Sequence, residues 1–264
     1  MTTQLTPSPR GQVADQLWAD LTRELPASDL ERIRGGLDVW AGVRAADLAP
    51  GQRHRFDLFM PGLPSSPWSD VGEFAFAPLL EEHYDELRGE LDDAISKGLP
   101  MQPFGRSPDG TPLLRGRVDP GWREIKLHWL NRPVAANCEL LPRAAAVMEE
   151  VFAESKVLSL FSYLALEPGA RTGEHTDPIN AMVSCHLGLH VPPGCGLRVA
   201  GESRSWLQGR CIAFDNSYPH EAWNDHATQT RIVLAVHGPH PDLSMVEREA
   251  LAWLAQRLMA ADRP

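Results

Sequence analysis

Five short apolar runs crowd the second half of the chain and limit what it can fold into more than any other feature. They cover residues 157–166, 183–191, 196–200, 210–215 and 231–237, and Gly, Pro and Asn turns separate them. Many short strands between turn signals are the sequence pattern of a β-sandwich or a jelly-roll barrel. Twenty-three prolines and twenty-one glycines also suit a strand-rich core better than a helical bundle. A further strand is expected over 122–129.

Helices flank this core in the sequence. Val13, Leu17, Leu21 and Leu25 recur every fourth residue, which predicts an amphipathic helix ending before Pro26. Ser28 is the expected cap of a second helix running toward Gly35-Gly36. Together these form a helical extension over residues 1–45, ahead of a main domain over 46–264; residues 1–10 read as disordered. Leu80, Tyr84, Leu87, Leu91 and Ile95 mark the stripe of a third helix. A fourth is expected around 139–154, with Pro142 in its first turn. Ser244 and Glu247 form a capping box that opens a C-terminal helix with the stripe Leu251, Leu254 and Leu258. Residues 99–121, rich in Pro, Gly and Arg, read as a long loop near the mouth of a site.

The 264 residues are enough for a sizeable core, and a net charge of −10 argues against a nucleic-acid partner. No apolar run approaches the ~18–20 residues of a membrane span, and the first residues do not read as a secretion signal. A cytoplasmic location is expected. Cys138, Cys185, Cys195 and Cys211 show no CxxC spacing, so they read as buried free thiols rather than a zinc knuckle or redox pair.

The chemistry concentrates between His175 and Arg231. His175 and Asp177 stand two residues apart, so an extended backbone projects both from one face. His220 follows about forty-five residues later, as a second imidazole able to return to the same point. Two imidazoles and one carboxylate on one face of a metal form the facial arrangement of non-haem Fe(II) oxygenases. Arg231, about ten residues on, suits a fork of hydrogen bonds to a carboxylate cosubstrate. His186, in an apolar strand, reads either as a core histidine or as a cosubstrate contact. His190, His237 and His240 read as structural. Trp68, Trp206 and Trp223 read as core. Glu221 reads as orienting the His220 loop, and Glu81-Glu82 with Asp92-Asp93 as a solvated helix face. Arg198 and Arg204 are candidate partners for a substrate carboxylate.

Several motifs are familiar in their order and spacing. They include Pro61-Gly62-Leu63, Pro67-Trp68, His175-Thr176, His186-Leu187-Gly188-Leu189, Phe214-Asp215-Asn216-Ser217, His220-Glu221 and His240-Pro241. Over roughly residues 59–243 the chain resembles the aspartyl/asparaginyl β-hydroxylase family. The resemblance implies a double-stranded β-helix fold, Fe(II), and 2-oxoglutarate and O2 as cosubstrates. It implies His175 and His220 as iron ligands, with Arg231 and His186 contacting 2-oxoglutarate. Two departures stand out. The animal protein hydroxylase of the family has glycine where this chain has Asp177, so a complete triad of His175, Asp177 and His220 is expected here. Ser184 takes the place of an arginine two residues before the HLGL motif, which implies a changed substrate-carboxylate contact. The expected substrate is therefore a small amino acid, free or presented by a carrier protein, hydroxylated at an unactivated C–H (the β-carbon first) in bacterial specialised metabolism. Two other classes stay open: a metal-binding cupin-like enzyme that does not use 2-oxoglutarate, and a non-catalytic module that docks a carrier.

Overall fold

The computed structural model describes residues 8–53, 58–106 and 118–261. Seven α-helices occur among them: α1 (Pro9–Glu24), α2 (Glu31–Trp40), α3 (Phe76–Glu82), α4 (Tyr84–Ser96), α5 (Ala135–Leu140), α6 (Pro142–Ser155) and α7 (Met245–Ala261). The strands are β1 (Trp68–Ser69), β2 (Gln102–Pro103), β3 (Trp122–Trp129), β4 (Arg132–Pro133), β5 (Leu160–Leu166) and β6 (Met182–His190). They continue with β7 (Cys195–Val199), β8 (Glu202–Arg204), β9 (Cys211–Phe214), β10 (His220–Asn224) and β11 (Arg231–Pro239).

Two antiparallel sheets face each other. The larger runs β1-β9-β6-β11-β5-β3-β2, with β4 beside β3, and the smaller runs β10-β7-β8. Residues 171–175 lie along β10 through bridges Arg171↔Trp223 and His175↔His220, and so lengthen the smaller sheet. This is the double-stranded β-helix.

Each central strand of the larger sheet is covered on both sides, so it is apolar nearly throughout. The period of two still sorts its side chains. On β11, Ile232, Leu234 and Val236 point to a core shared with α3, α4 and α6. Val233 and Ala235 point the other way, into the space between the sheets, where Leu197, Val199 and Ala222 of the smaller sheet meet them. On β5, Phe161, Tyr163 and Ala165 face the helices while Leu160, Leu164 and Leu166 face inward. The interior between the sheets is therefore where a ligand site has room.

The helices depart from the sequence reading in informative ways. The helix expected around residues 80–95 is two, broken at His83. Both halves pack on α6, and α3 also reaches β9, where Glu81 accepts from the Cys211 amide (2.8 Å). Glu90 of α4 caps α6 from outside, accepting from the amides of Arg143 (2.8 Å) and Ala144 (2.9 Å) beside Pro142. The second helix is not capped by Ser28, which lies in a 3₁₀ turn; α2 starts at Glu31 and passes through Gly35-Gly36. Both glycines make room for the segment beneath. A Cβ on Gly35 would lie 2.7 Å from Pro61 Cγ, and one on Gly36 3.0 Å from Met60 Sδ. The capping box at Ser244 and Glu247 forms reciprocally, at 2.8 and 3.2 Å. Leu251 and Leu254 of α7 are buried in a third core with Leu17, Leu21 and Leu37; the expected Leu258 lies outside the residues whose side chains are described. Residues 1–7 of the expected disordered start also lie outside the described residues, whereas Pro9 and Arg10 begin α1. Among the described residues no helix is long and apolar enough to cross a membrane. Cys185, Cys195 and Cys211 are buried free thiols, and Cys138 is half-buried.

Candidate active site

The smaller sheet carries a pair of bridged histidines at the end of β10. The His175 amide donates to the His220 carbonyl (3.0 Å), and the His220 amide donates back to the His175 carbonyl (2.8 Å). This bridge sets the two imidazoles side by side, with ring centroids 4.2 Å apart. In each ring Nδ1 lies 2.9 Å from a main-chain carbonyl, that of Gly173 for His175 and of Tyr218 for His220. A carbonyl only accepts, so Nδ1 carries the proton and the Nε2 lone pair is left free. Burial, then the neighbouring His175, lowers the His220 pKa to about 4, so the ring is neutral and ready to ligate at pH 7.

Asp177 completes the group. Ligand atoms of His175, Asp177 and His220 all lie within 4.8 Å of one another, the arrangement of a possible metal site. The Asp177 amide donates to the Asn216 carbonyl (2.8 Å), and the Asn216 side-chain amide donates to Asp177 Oδ2 (2.7 Å). His237 Nδ1 stands 3.8 Å from the same oxygen. The stretch before His220 is itself pinned. Asp215 accepts from the Ser217 amide (2.9 Å) and the Ser65 hydroxyl (2.9 Å), and Gln52 donates to Ser65 (2.7 Å) and Ser217 (2.9 Å).

Deeper between the sheets lies Arg231, only 2% exposed. Its guanidinium sits 4.7 Å over the Trp206 ring and makes one long bond to the Leu164 carbonyl (3.3 Å), while Nε has no partner. Among the described residues no carboxylate pairs with it. Burial lowers its pKa to about 10, which leaves it cationic at pH 7. His186 is stacked near Trp206 and meets Phe214 edge-on at 5.1 Å; its Nδ1 is buried without a partner. Burial first, then the neighbouring His237, Arg231 and His220, holds its pKa well below the usual value.

His175, Asp177, His186, His220 and Arg231, the five residues singled out in the sequence, thus line one cavity with Ser184. His237, read from sequence as structural, lines it too. The signal was available: His237 is six residues from Arg231 on one strand, so the two share a face. Phe104 and Trp122 form another wall, stacked at 3.5 Å with planes 7° apart. Phe104 comes from the long loop 99–121, of which residues 107–117 lie outside the described residues.

Other readings are corrected. Arg198 is bonded to Glu221, and Arg204 to Glu202 (2.8 Å) with its guanidinium over Trp68, so neither waits for a ligand. Asp92 is not merely solvated: it meets His190 Nε2 at 2.7 Å and ties α4 to the end of β6.

The residues present fit a metal and a carboxylate cosubstrate. Two imidazoles and a carboxylate converge, and a buried guanidinium nearby has a donor without a partner among the described residues. Fold and site together define a double-stranded β-helix protein with a possible His-Asp-His metal centre, the class to which dioxygenase hydroxylases belong.

Residues 81–241 match the aspartyl/asparaginyl β-hydroxylase family. Since that is more than half of the chain, the protein belongs to this family, whose members are hydroxylases of the dioxygenase class. It is 30% identical to mouse aspartate β-hydroxylase domain-containing protein 1, over 93% of this chain and 68% of that protein. To human aspartate β-hydroxylase domain-containing protein 2 it is 34% identical, over 75% of this chain and 53% of that one. To mouse aspartyl/asparaginyl β-hydroxylase it is 31% identical over 72% of this chain but only 25% of the relative. Among solved structures, a Pseudomonas putida prolyl-4-hydroxylase aligns at 18% identity over 66% of this chain and 92% of that one. The TM-score is 0.37, too low to argue from; the fold rests on the sheet topology.

Proposed function

We propose that this protein is an Fe(II)- and 2-oxoglutarate-dependent hydroxylase in which His175, Asp177 and His220 hold the metal. The observation that carries the reading is Arg231: a cation buried between two sheets, with Nε unpaired, on the wall that also carries the His-Asp-His group. Burying a charge without a counter-charge is costly, and a cosubstrate carboxylate supplies the partner. Bound metal, 2-oxoglutarate and O2 would together supply the power to insert oxygen into an unactivated C–H bond.

The protein's own part is binding, orientation and exclusion of water. Arg231 offers its guanidinium to the far carboxylate of the cosubstrate, and Trp206 holds that guanidinium flat from one side. His186 is kept neutral by its surroundings and adds a polar atom to the same end of the cavity. Leu160, Leu164, Leu197 and Phe214 line the space around these groups and keep water out. Trp122 packs beside His175, with ring centroids 5.7 Å apart.

The substrate we favour is a small amino acid, free or borne by a carrier protein, oxidised at an unactivated carbon (the β-carbon first) in bacterial specialised metabolism. The serine at Ser184, in place of an arginine, supports a substrate other than an aspartyl side chain of a folded protein. A reducing cytoplasm suits the four free thiols.

Anaerobic titration with Fe(II) and then 2-oxoglutarate tests the reading. A weak visible metal-to-ligand charge-transfer band is expected, and it should be lost in Arg231→Gln. Bound iron without the band would overturn the proposal and favour a cupin-like enzyme that does not use 2-oxoglutarate.

A further inference from the structure

Asp177 lies in a stretch without regular structure, between the bridge residue His175 and β6, and its side chain is about a quarter exposed. Nothing in its own segment fixes the carboxylate. Asn216 does. It is 1% exposed, sits two residues past the end of β9, and takes hold of Asp177 twice, by backbone carbonyl to amide (2.8 Å) and by side-chain amide to Oδ2 (2.7 Å). The same side-chain nitrogen lies 3.2 Å from Ser184 Oγ on β6, so the amide spans two strands of the larger sheet and the Asp177 segment.

The cost of this arrangement is visible. With its nitrogen committed to Asp177 and Ser184, the Asn216 side-chain oxygen is buried without a partner. A buried carbonyl oxygen left without a donor is destabilising. Turning the amide over would give the oxygen a hydroxyl to accept from but would set it against the carboxylate of Asp177. The observed orientation is the one that serves Asp177.

We propose that Asn216 is the positioning residue for Asp177: it occupies Oδ2, leaves Oδ1 as the single oxygen for the metal, and holds the third ligand in place before metal arrives. The inference rests on the reading of His175, Asp177 and His220 as the metal ligands. It also explains how one open-segment carboxylate joins two histidines already locked by a backbone bridge. Groups that orient a ligand in this way typically affect metal affinity about ten- to a hundredfold.

The test is a thermodynamic cycle on the full chain, with Co(II) as the probe and its visible d–d absorption and dissociation constant as readouts. Wild type, Asn216→Leu, Asp177→Gly and the double variant are compared. Leucine keeps the volume and removes the donor, and Asn216→Ala serves if the leucine variant does not fold. Thermal unfolding without metal reports folding separately. The expected result is a Co(II) affinity about ten- to a hundredfold weaker and an altered spectrum in Asn216→Leu, with no additional loss when Asp177 is already glycine. Two results overturn the inference while leaving the ligand reading intact: wild-type affinity and spectrum in Asn216→Leu with weakening in Asp177→Gly, or an undiminished effect of Asn216→Leu in the glycine background. If Asp177→Gly itself changes nothing, the ligand reading of Asp177 fails and the inference with it.

Discussion

His175 and His220 are joined by two main-chain hydrogen bonds of 3.0 and 2.8 Å, which set their imidazoles side by side. They are forty-five positions apart in the chain, and the bridge closes that loop by backbone alone. The consequence is that side-chain loss at either position leaves the bridge in place. His175→Ala and His220→Ala are each expected to weaken Co(II) or Fe(II) binding by more than about 100-fold. The far-ultraviolet circular dichroism of the metal-free protein should stay unchanged. Calorimetric titration with the metal reads the first effect directly.

Arg231 gives a prediction of opposite sign for stability and for binding. Among the described residues no carboxylate lies beside its buried guanidinium, so a long apolar side chain removes a desolvation cost. Arg231→Met is expected to raise the unfolding free energy of the ligand-free protein by about 1–4 kcal/mol. The same variant should lose the thermal stabilisation that 2-oxoglutarate gives the wild type. Urea unfolding and a thermal-shift series against 2-oxoglutarate check the two halves.

Gly188, in the His-Leu-Gly-Leu motif, is needed for space. A Cβ there would lie 2.5 Å from the Leu207 carbonyl oxygen, a backbone atom that cannot swing away. Gly188 also exchanges main-chain bonds with Arg210 (3.1 Å) and Gly209 (2.9 Å), so the neighbouring turn is fixed to it. Gly188→Ala is expected to cost about 1–3 kcal/mol of stability, measurable by urea unfolding.

His128, on β3, is 3% exposed, and neither ring nitrogen has a partner. Burial lowers its pKa from 6.5 to about 4. Between those values the unfolded chain binds the proton and the folded chain does not, so stability falls as pH drops from 6.5 toward 4 and levels off below. The loss attributable to this group is on the order of 3 kcal/mol. His128→Leu should flatten that part of the stability–pH curve. An unchanged slope in urea unfolding from pH 7 to pH 4 would show that the ring is not buried as a neutral group.

The sequence by itself determined the longer strands of the core, most of the flanking helices and the residue types of the site, but not β10, the strand that carries His220. Alternation along 231–237 and 183–191 already separates a helix-facing set from an inward set, because a strand has only two faces. The capping box at Ser244 and the turn residues marked element ends, because those signals are local. The tertiary structure decided what depends on meetings between distant segments. The break at His83 separates α4 from α3, which reaches β9 through Glu81, 130 positions from its partner Cys211. The pairing of His175 with His220, the grip of Asn216 on Asp177 and the wall made by Phe104 on Trp122 join residues 18 to 45 positions apart. No local pattern encodes such contacts; they exist because two sheets close on each other and bring their inner faces within hydrogen-bonding reach.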